Sequence, residues 1–218
     1  MEIKSLKIYA KHIEAQKVFY RDILGFTYQT TSNGFKIDTQ ENSLYFQKSS
    51  LDTYYHFAFL IPTGAIHQAI LFLENKNITL LPYRNKKIIQ FDHGKAIYFY
   101  DKDHNIVEFI ERPLLDYPSN NTFSIEQVIK LNEIGLPHKD PLLMANTLIK
   151  DYGINPINKN IMSEKFCWVG DHNGVIIVTK EGRNWLPTNK PGIINDFTIH
   201  YEDEGKIYSL SFDQNRIK

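Results

Sequence analysis

The stretch Val18–Phe26 has the sequence VFYRDILGF and marks the end of a helix. From Ile13 to Leu24, apolar residues recur at the spacing of one helical face. Gly25 predicts the end of this helix, because glycine readily adopts the left-handed conformation that closes a helix. The alternating segment Ile3–Ala10 before the helix is typical of a half-buried strand. The chain therefore opens with a strand followed by a helix.

Three short strands are predicted after this helix. They cover Phe26–Thr30, Phe35–Asp38 and Ser43–Gln47, and the Asn33-Gly34 pair favours a tight turn between the first two. The first module therefore has the order βαβββ.

The same order then repeats along the chain. In the second module we predict a strand at Tyr55–Ile61, a helix at Ala65–Leu73 and strands at Ile78–Leu81, Lys95–Tyr100 and Asn105–Ile110. In the third we predict a strand at Val128–Leu136, a helix at Pro141–Tyr152 and strands at Lys165–Val169 and Val175–Thr179. A strand pair, Phe197–Tyr201 and Lys206–Phe212, is all that we predict for the fourth.

Three motifs resemble those of a known family. VFYRDILGF at residues 18–26 resembles the FYRDVLGF end of the first helix in glyoxalase and bleomycin-resistance proteins. HFAF at residues 56–59 resembles the strand that opens their second module, and YFYDKDHNIVEF at residues 98–109 resembles their closing YFrDPDGNxIEF element. The chain thus resembles the vicinal oxygen chelate superfamily, from about Leu6 to Ile110. The resemblance implies an α+β fold of tandem βαβββ modules that form paired curled mixed sheets, with the last module truncated.

The layout of two domains is similar to that of extradiol dioxygenases. We predict a glyoxalase-like domain of two modules at residues 1–113, a linker at residues 114–124, and a second, incomplete glyoxalase-like domain at residues 121–218. The second domain is expected to lack an independent active site. Its alternating apolar residues Phe197, Ile199 and Tyr201 require a cover, which could be the first domain or a second copy of the chain in a symmetric homodimer.

The resemblance also implies a cup that commonly holds a divalent metal ion. Its three ligand positions fall on Ser5, His56 and Glu108. An imidazole and a carboxylate are two of the three groups of a facial triad, and the ion could be Fe, Mn, Zn or Ni. The serine is a poor ligand at neutral pH, so we expect no tightly bound metal ion in the isolated protein.

Other side chains could complete this cup. His93 could act as a ligand, and Lys95 on the same strand face would favour an anionic substrate. Tyr9, on the strand face that carries Ser5, is a second candidate for substrate binding. In the second domain, Glu133 and Asp196 occupy the corresponding strand positions.

The segment Lys180–Thr188 contains an arginine and a tryptophan, Arg183 and Trp185. The favoured interpretation is that Trp185 fills a core beside a loop. The alternative is that the pair forms an arginine–aromatic lip over a pocket.

The composition excludes several partners. Lys and Arg total 25, as do Asp and Glu, so the formal net charge is +0 and a nucleic-acid partner is not expected. No apolar stretch is long enough for a membrane span, so no membrane partner is expected. A single cysteine, Cys167, fits a reducing cytoplasm.

Three functions stay open at this point, each with a small-molecule ligand or none. The first is a metal-dependent lyase, isomerase or dioxygenase. The second is a metal-free protein that binds a small aromatic or anionic compound, as bleomycin-resistance proteins do. The third is a scaffold whose cup is filled by side chains.

Overall fold

The structure of the protein is a computed structural model that describes residues 1–119, 122–157, 162–213 and 216–217. The described strands are β1 (Glu2–Ala10), β2 (Thr27–Thr31), β3 (Gly34–Asp38), β4 (Ser43–Lys48), β5 (His56–Leu60), β6 (Ile89–Phe91), β7 (Gly94–Tyr100), β8 (Ile106–Glu111), β9 (Lys130–His138), β10 (Phe166–Asp171), β11 (Gly174–Lys180), β12 (Phe197–Asp203), β13 (Lys206–Asp213) and β14 (Arg216–Ile217). The helices are α1 (Ile13–Lys17), which continues as a π-helix over Val18–Leu24, α2 (Ile66–Asn75) and α3 (Pro141–Tyr152), together with two single-turn 3-10 helices at Pro113–Leu115 and Ile125–Gln127. Among the described helices, none is both long and apolar enough to cross a lipid bilayer.

The strands form two mixed sheets of seven strands each. The first has the order β14-β13-β12-β1-β4-β3-β2 and the second β10-β11-β9-β5-β8-β7-β6. Antiparallel pairs join the modules, β1 with β12 and β5 with β9. The first module therefore shares a sheet with the fourth, and the second shares one with the third. The division at residues 1–113 and 121–218 stays a prediction, and neither sheet is confined to one of those ranges. Residues 120 and 121 of the predicted linker lie outside the described residues.

The predicted modules are present, with one strand misplaced. The segment Ile78–Leu81 is not a strand, because the amide of Ile78 closes the end of α2 on the carbonyl of Leu73, and Leu80 forms only an isolated bridge. The strand at this place in the module is β6 instead. In the part of the chain that the structure describes, the third module has one strand fewer than the first two, and no helix of four or more residues follows α3.

The helices and the inner faces of both sheets share one hydrophobic core. Pairs of aromatic rings connect the first module to the second. The ring centroids of Phe19 and Phe99 lie 6.4 Å apart, and those of Phe26 and Phe59 lie 5.4 Å apart. The apolar residues of β12 are at most 2% exposed, and the hydroxyl of Tyr201 donates to the carbonyl at the end of α3. The chain itself covers this face, so the homodimer stays a prediction.

A buried carboxylate joins the first module to the second. Asp101, in the turn between β7 and β8, accepts hydrogen bonds from the hydroxyl of Tyr20 at 2.9 Å and from the amide of Asn105 at 2.7 Å. The side-chain oxygen of Asn105 in turn accepts from the backbone of Tyr55. Burial raises the pKa of Asp101 to about 6, although these donors oppose the rise.

Replacing Tyr20 with phenylalanine should destabilise the protein more at high pH than at low pH. The raised pKa means that folding favours the protonated form of Asp101. The stability gained from this protonated carboxyl is therefore complete below the usual pKa of an aspartate and is lost as the pH rises through about 6. Above that pH the charged carboxylate needs the Tyr20 donor, whose loss should cost about 1.5–3 kcal/mol of unfolding free energy. Denaturant unfolding at about pH 5 and about pH 8 measures the difference.

Tyr28→Phe is the control, since the Tyr28 hydroxyl bonds Thr30 at an exposed site. Its small cost should be equal at the two pH values. Equal costs for Tyr20→Phe at both values would contradict the role assigned to Asp101.

Candidate metal and substrate site

A cavity of about 260 Å³ opens on the outer face of the second sheet. Its walls come from β5–β8 of the second module, from β9–β11 of the third, and from the segment after β11 that contains Arg183, Trp185 and Leu186. The predicted cup within residues 1–113 is therefore corrected, because β5 pairs with β9 and not with β1. Residues 121–218 are more than a support, since they build half of this cavity.

His56 and Glu108 both line the cavity. Strand alternation sends their neighbours Phe57 and Val107 into the shared core, so the imidazole and the carboxylate lie on the opposite face. His56 Nδ1 lies 3.2 Å from the carbonyl oxygen of Ile106, a distance at which a protonated Nδ1 donates a hydrogen bond. The other ring nitrogen, Nε2, lies 3.4 Å from Glu108 Oε2 and is then free to bind a cation.

Glu133 of β9 is the third member of this cluster. The antiparallel register places Glu133 opposite Ala58 and Ile134 opposite Phe57, so Glu133 lies on the same face of the sheet as His56. Burial raises the pKa of Glu133 to about 7, and the charge of Glu108 adds to the rise. One potential ligand atom each from His56, Glu108 and Glu133 lies within 4.8 Å of the others.

Two further side chains lie against these carboxylates. Arg112, whose side chain is 1% exposed, forms an ion pair with Glu133 Oε1 and donates from Nε to Asn132 at 2.6 Å. Tyr98 is the cross-strand partner of Glu108 and lines the cavity beside it. Burial, above all, and the two neighbouring carboxylates raise the pKa of the Tyr98 hydroxyl well above its usual value, so this group stays a donor.

The three residues fit a divalent metal ion. Ligands at about 2.0–2.2 Å from one ion lie roughly 3–4 Å apart, so shifts of less than about 1 Å would bring this cluster around an ion. Arg112 engages only one oxygen of Glu133, which leaves the other oxygen for an ion. One imidazole and two carboxylates form a donor set suited to Fe, Mn, Zn or Ni.

The other predicted site residues lie elsewhere, with one exception. Ser5 is on the first sheet, where its hydroxyl lies 3.0 Å from His200 Nδ1, and Tyr9 is on the same strand. Lys95 is on the core side of β7, with Nζ 3.2 Å from Glu111. The assignment of Ser5, Tyr9 and Lys95 to one cup with His56 is thus corrected, because β1 belongs to the other sheet and Lys95 alternates away from the cavity. His93 does line the cavity.

Residues of the third module that sequence reasoning did not assign form an aromatic wall. Phe166 and Trp168 of β10 line the cavity, and alternation sends Cys167 between them into the core. Trp185 is 4% exposed, and its ring centroid lies 4.8 Å from that of His56. Trp185 thus fills a core and lines the pocket at once, and Arg183 joins it there as the alternative interpretation expected. The large aromatic residues at alternate positions of β10 were the feature of the sequence from which this wall could have been predicted.

No protein-family model matches the sequence, and neither does any curated protein. Among solved structures, the chain is similar to a Bacillus subtilis subsp. subtilis str. 168 protein provisionally described as a dioxygenase, with 14% identity, a TM-score of 0.63, and coverage of 97% of this chain and 84% of that chain. Two smaller structures match about half of the chain. The oxidase ChaP-H1 has 21% identity and a TM-score of 0.44, with coverage of 52% and 98%. A lactoylglutathione lyase from Agrobacterium tumefaciens has 19% identity and a TM-score of 0.44, with coverage of 53% and 96%.

The similarity over nearly the whole chain shows the fold. The chain shares the fold of that structure, with βαβββ modules that form two mixed sheets, as its motifs implied. At 14% identity the similarity carries no residue roles, so the chemistry of the site rests on the geometry described above.

Gly135→Ala should displace Trp185 from the cavity wall. A Cβ at position 135 would lie 2.7 Å from Trp185 Cη2, closer than real contacts allow. We expect a cost of about 1–3 kcal/mol in unfolding free energy and a change in tryptophan near-UV circular dichroism.

A double-mutant cycle tests whether this cost comes from Trp185. In a Trp185→Phe background the outer ring atoms are absent, so Gly135→Ala should cost clearly less. An equal cost in both backgrounds would show that the strain has another source.

Proposed function

We propose that the cavity is a metal-dependent active site of the lyase, isomerase or dioxygenase type that acts on a small organic molecule. One observation carries this proposal: three potential ligands, His56, Glu108 and Glu133, meet from three strands at a buried point that opens into a cavity. Three protein ligands leave coordination positions for a substrate, as in catalytic metal sites generally. A divalent ion there would polarise substrate oxygens as a Lewis acid or activate dioxygen.

The residues around the cluster would hold its ligands in orientation. The carbonyl of Ile106 fixes the His56 ring through Nδ1, so Nε2 faces the cluster. Tyr98 lies beside Glu108, and Arg112 positions Glu133.

The Arg112–Glu133 ion pair supports a second candidate, a metal-free binding protein for a small aromatic or anionic compound. This guanidinium already compensates one of the two buried carboxylates. The cavity would then bind its ligand without an ion and would not catalyse a reaction of that ligand.

Metal titration separates the two candidates. Protein purified without chelator and then titrated with Mn²⁺, Zn²⁺ and anaerobic Fe²⁺ should bind one equivalent in calorimetry and elemental analysis. His56→Ala, Glu108→Ala and Glu133→Ala should each weaken binding by more than the roughly 10–100-fold that loss of a supporting residue costs.

His67→Ala and Glu126→Ala are the matched controls, since both residues are exposed and neither lines the cavity. They should leave metal binding unchanged, and circular dichroism should show that all five variants are folded. Wild-type protein that binds none of the three ions, or ligand variants that bind like the controls, would exclude the metal-dependent proposal in favour of the metal-free one.

A further inference from the structure

We propose that one wall of this cavity is a subsite for the carboxylate of a small aromatic acid. Phe166, Trp168 and Arg183 form this subsite. That this acid is the substrate rests on the proposed function, whereas its binding does not. None of the three residues belongs to the cluster of potential metal ligands. The subsite and the cluster line the same cavity.

Arg183 is a cation at the cavity, and no carboxylate of the described residues pairs with it. Its guanidinium lies over Phe166, 5.1 Å from the ring centroid, and it forms no ion pair with a carboxylate among the described residues. Its backbone is fixed on both sides: the amide donates to Lys180 at 3.0 Å, and the carbonyl accepts from Gly192 at 2.8 Å. A half-buried and positioned guanidinium is therefore available to an anionic ligand.

Trp168 adds an unsatisfied donor on the same wall. Its Nε1 is buried and has no acceptor among the described residues, although the indole lines the cavity. A buried N–H without an acceptor is destabilising, and a small rotation of the indole toward the cavity would let a ligand oxygen accept from it. The Trp168 ring centroid lies 6.1 Å from that of Phe166, so Arg183 and Trp168 both adjoin the same aromatic ring.

The number of donors favours a carboxylate over a phosphate. One guanidinium and one indole N–H match a planar monoanion, which a guanidinium binds through two parallel hydrogen bonds. A phosphate dianion would require further cations. The other nearby cation, Arg112, is already committed to Glu133 and Asn132.

The shape and lining of the cavity favour a single aromatic ring. Its volume of about 260 Å³ lies below the roughly 300–1,000 Å³ of common ligand pockets. Aromatic rings from Phe91, Tyr98 and Trp185 line the remaining walls. A ring placed among them would bury apolar surface and direct its carboxylate toward Arg183.

Benzoate and its neutral isostere benzamide are the probes, measured by calorimetry near neutral pH on chelator-treated protein. Wild-type protein should bind benzoate about 10–100-fold more tightly than benzamide, as expected for a hydrogen bond to a charged group. Arg183→Gln should reduce benzoate affinity to that of benzamide, and Arg183→Lys should restore part of it. Trp168→Phe keeps a ring but removes the donor, so it should weaken benzoate and leave benzamide unchanged.

Arg84→Gln is the matched control, because Arg84 also lies over an aromatic ring, 5.2 Å from Tyr83, but on the surface. It should not change benzoate binding. Equal affinity for benzoate and benzamide, no measurable benzoate binding, or an unchanged preference in Arg183→Gln would overturn the subsite.

The metal titration repeated on Arg183→Gln keeps the two proposals separate. Metal binding should be retained in this variant. If benzoate discrimination depends on Arg183 while no ion binds, the subsite stands and the metal-dependent function fails. If an ion binds but benzoate is not discriminated, the reverse holds.

Discussion

The antiparallel pairing of β5 with β9 is the constraint on which the site depends. It places Glu133 opposite Ala58 and therefore beside His56 on the outer face of the second sheet. A shift of one residue would turn Glu133 into the hydrophobic core and Ile134 into the cavity. The opposed pair Phe57 and Ile134, both fully buried in the core, holds the register. The register of β5 with β9 therefore determines both the strand pairing in the second sheet and the position of the cluster.

The polar groups of the cluster are costly to bury. Glu108, Glu133 and Arg112 are each at most 2% exposed, and a buried charge is destabilising unless it is paired and hydrogen-bonded. The structure pairs Glu133 with Arg112 and places Tyr98 opposite Glu108 on the neighbouring strand. Replacing such a cluster with apolar residues of similar volume is often neutral or stabilising. Two adjacent carboxylates beside an open cavity therefore bring no evident gain in stability, which agrees with the binding role proposed above.

The two sheets have different outer faces. On the first sheet, the outer face carries polar contacts such as Ser5 with His200 and Thr198 with Ser211. On the second, the segment after β11 packs Trp185 above Gly135, where only a glycine leaves room for the indole. This segment converts a curled sheet into a cavity with an aromatic wall. The repeated modules therefore yield one cluster of potential metal ligands among the described residues, although the two sheets have the same number of strands.

The amino-acid sequence determined the modules, because hydrophobic periodicity and turn residues act locally. It located helix α3 at its observed bounds and placed His56 and Glu108 on the strand faces that the structure shows. It could not determine which modules pair, since either partner strand would bury the same apolar residues. That choice, made by tertiary packing, excluded Ser5 and Tyr9 from the cavity and brought in Glu133 and Arg112. Lys95 was misassigned for a different reason: its strand face depends on the register of β7 with β8, which places it opposite Glu111. Sequence alternation establishes which residues share a face, but only long-range pairing determines which faces meet.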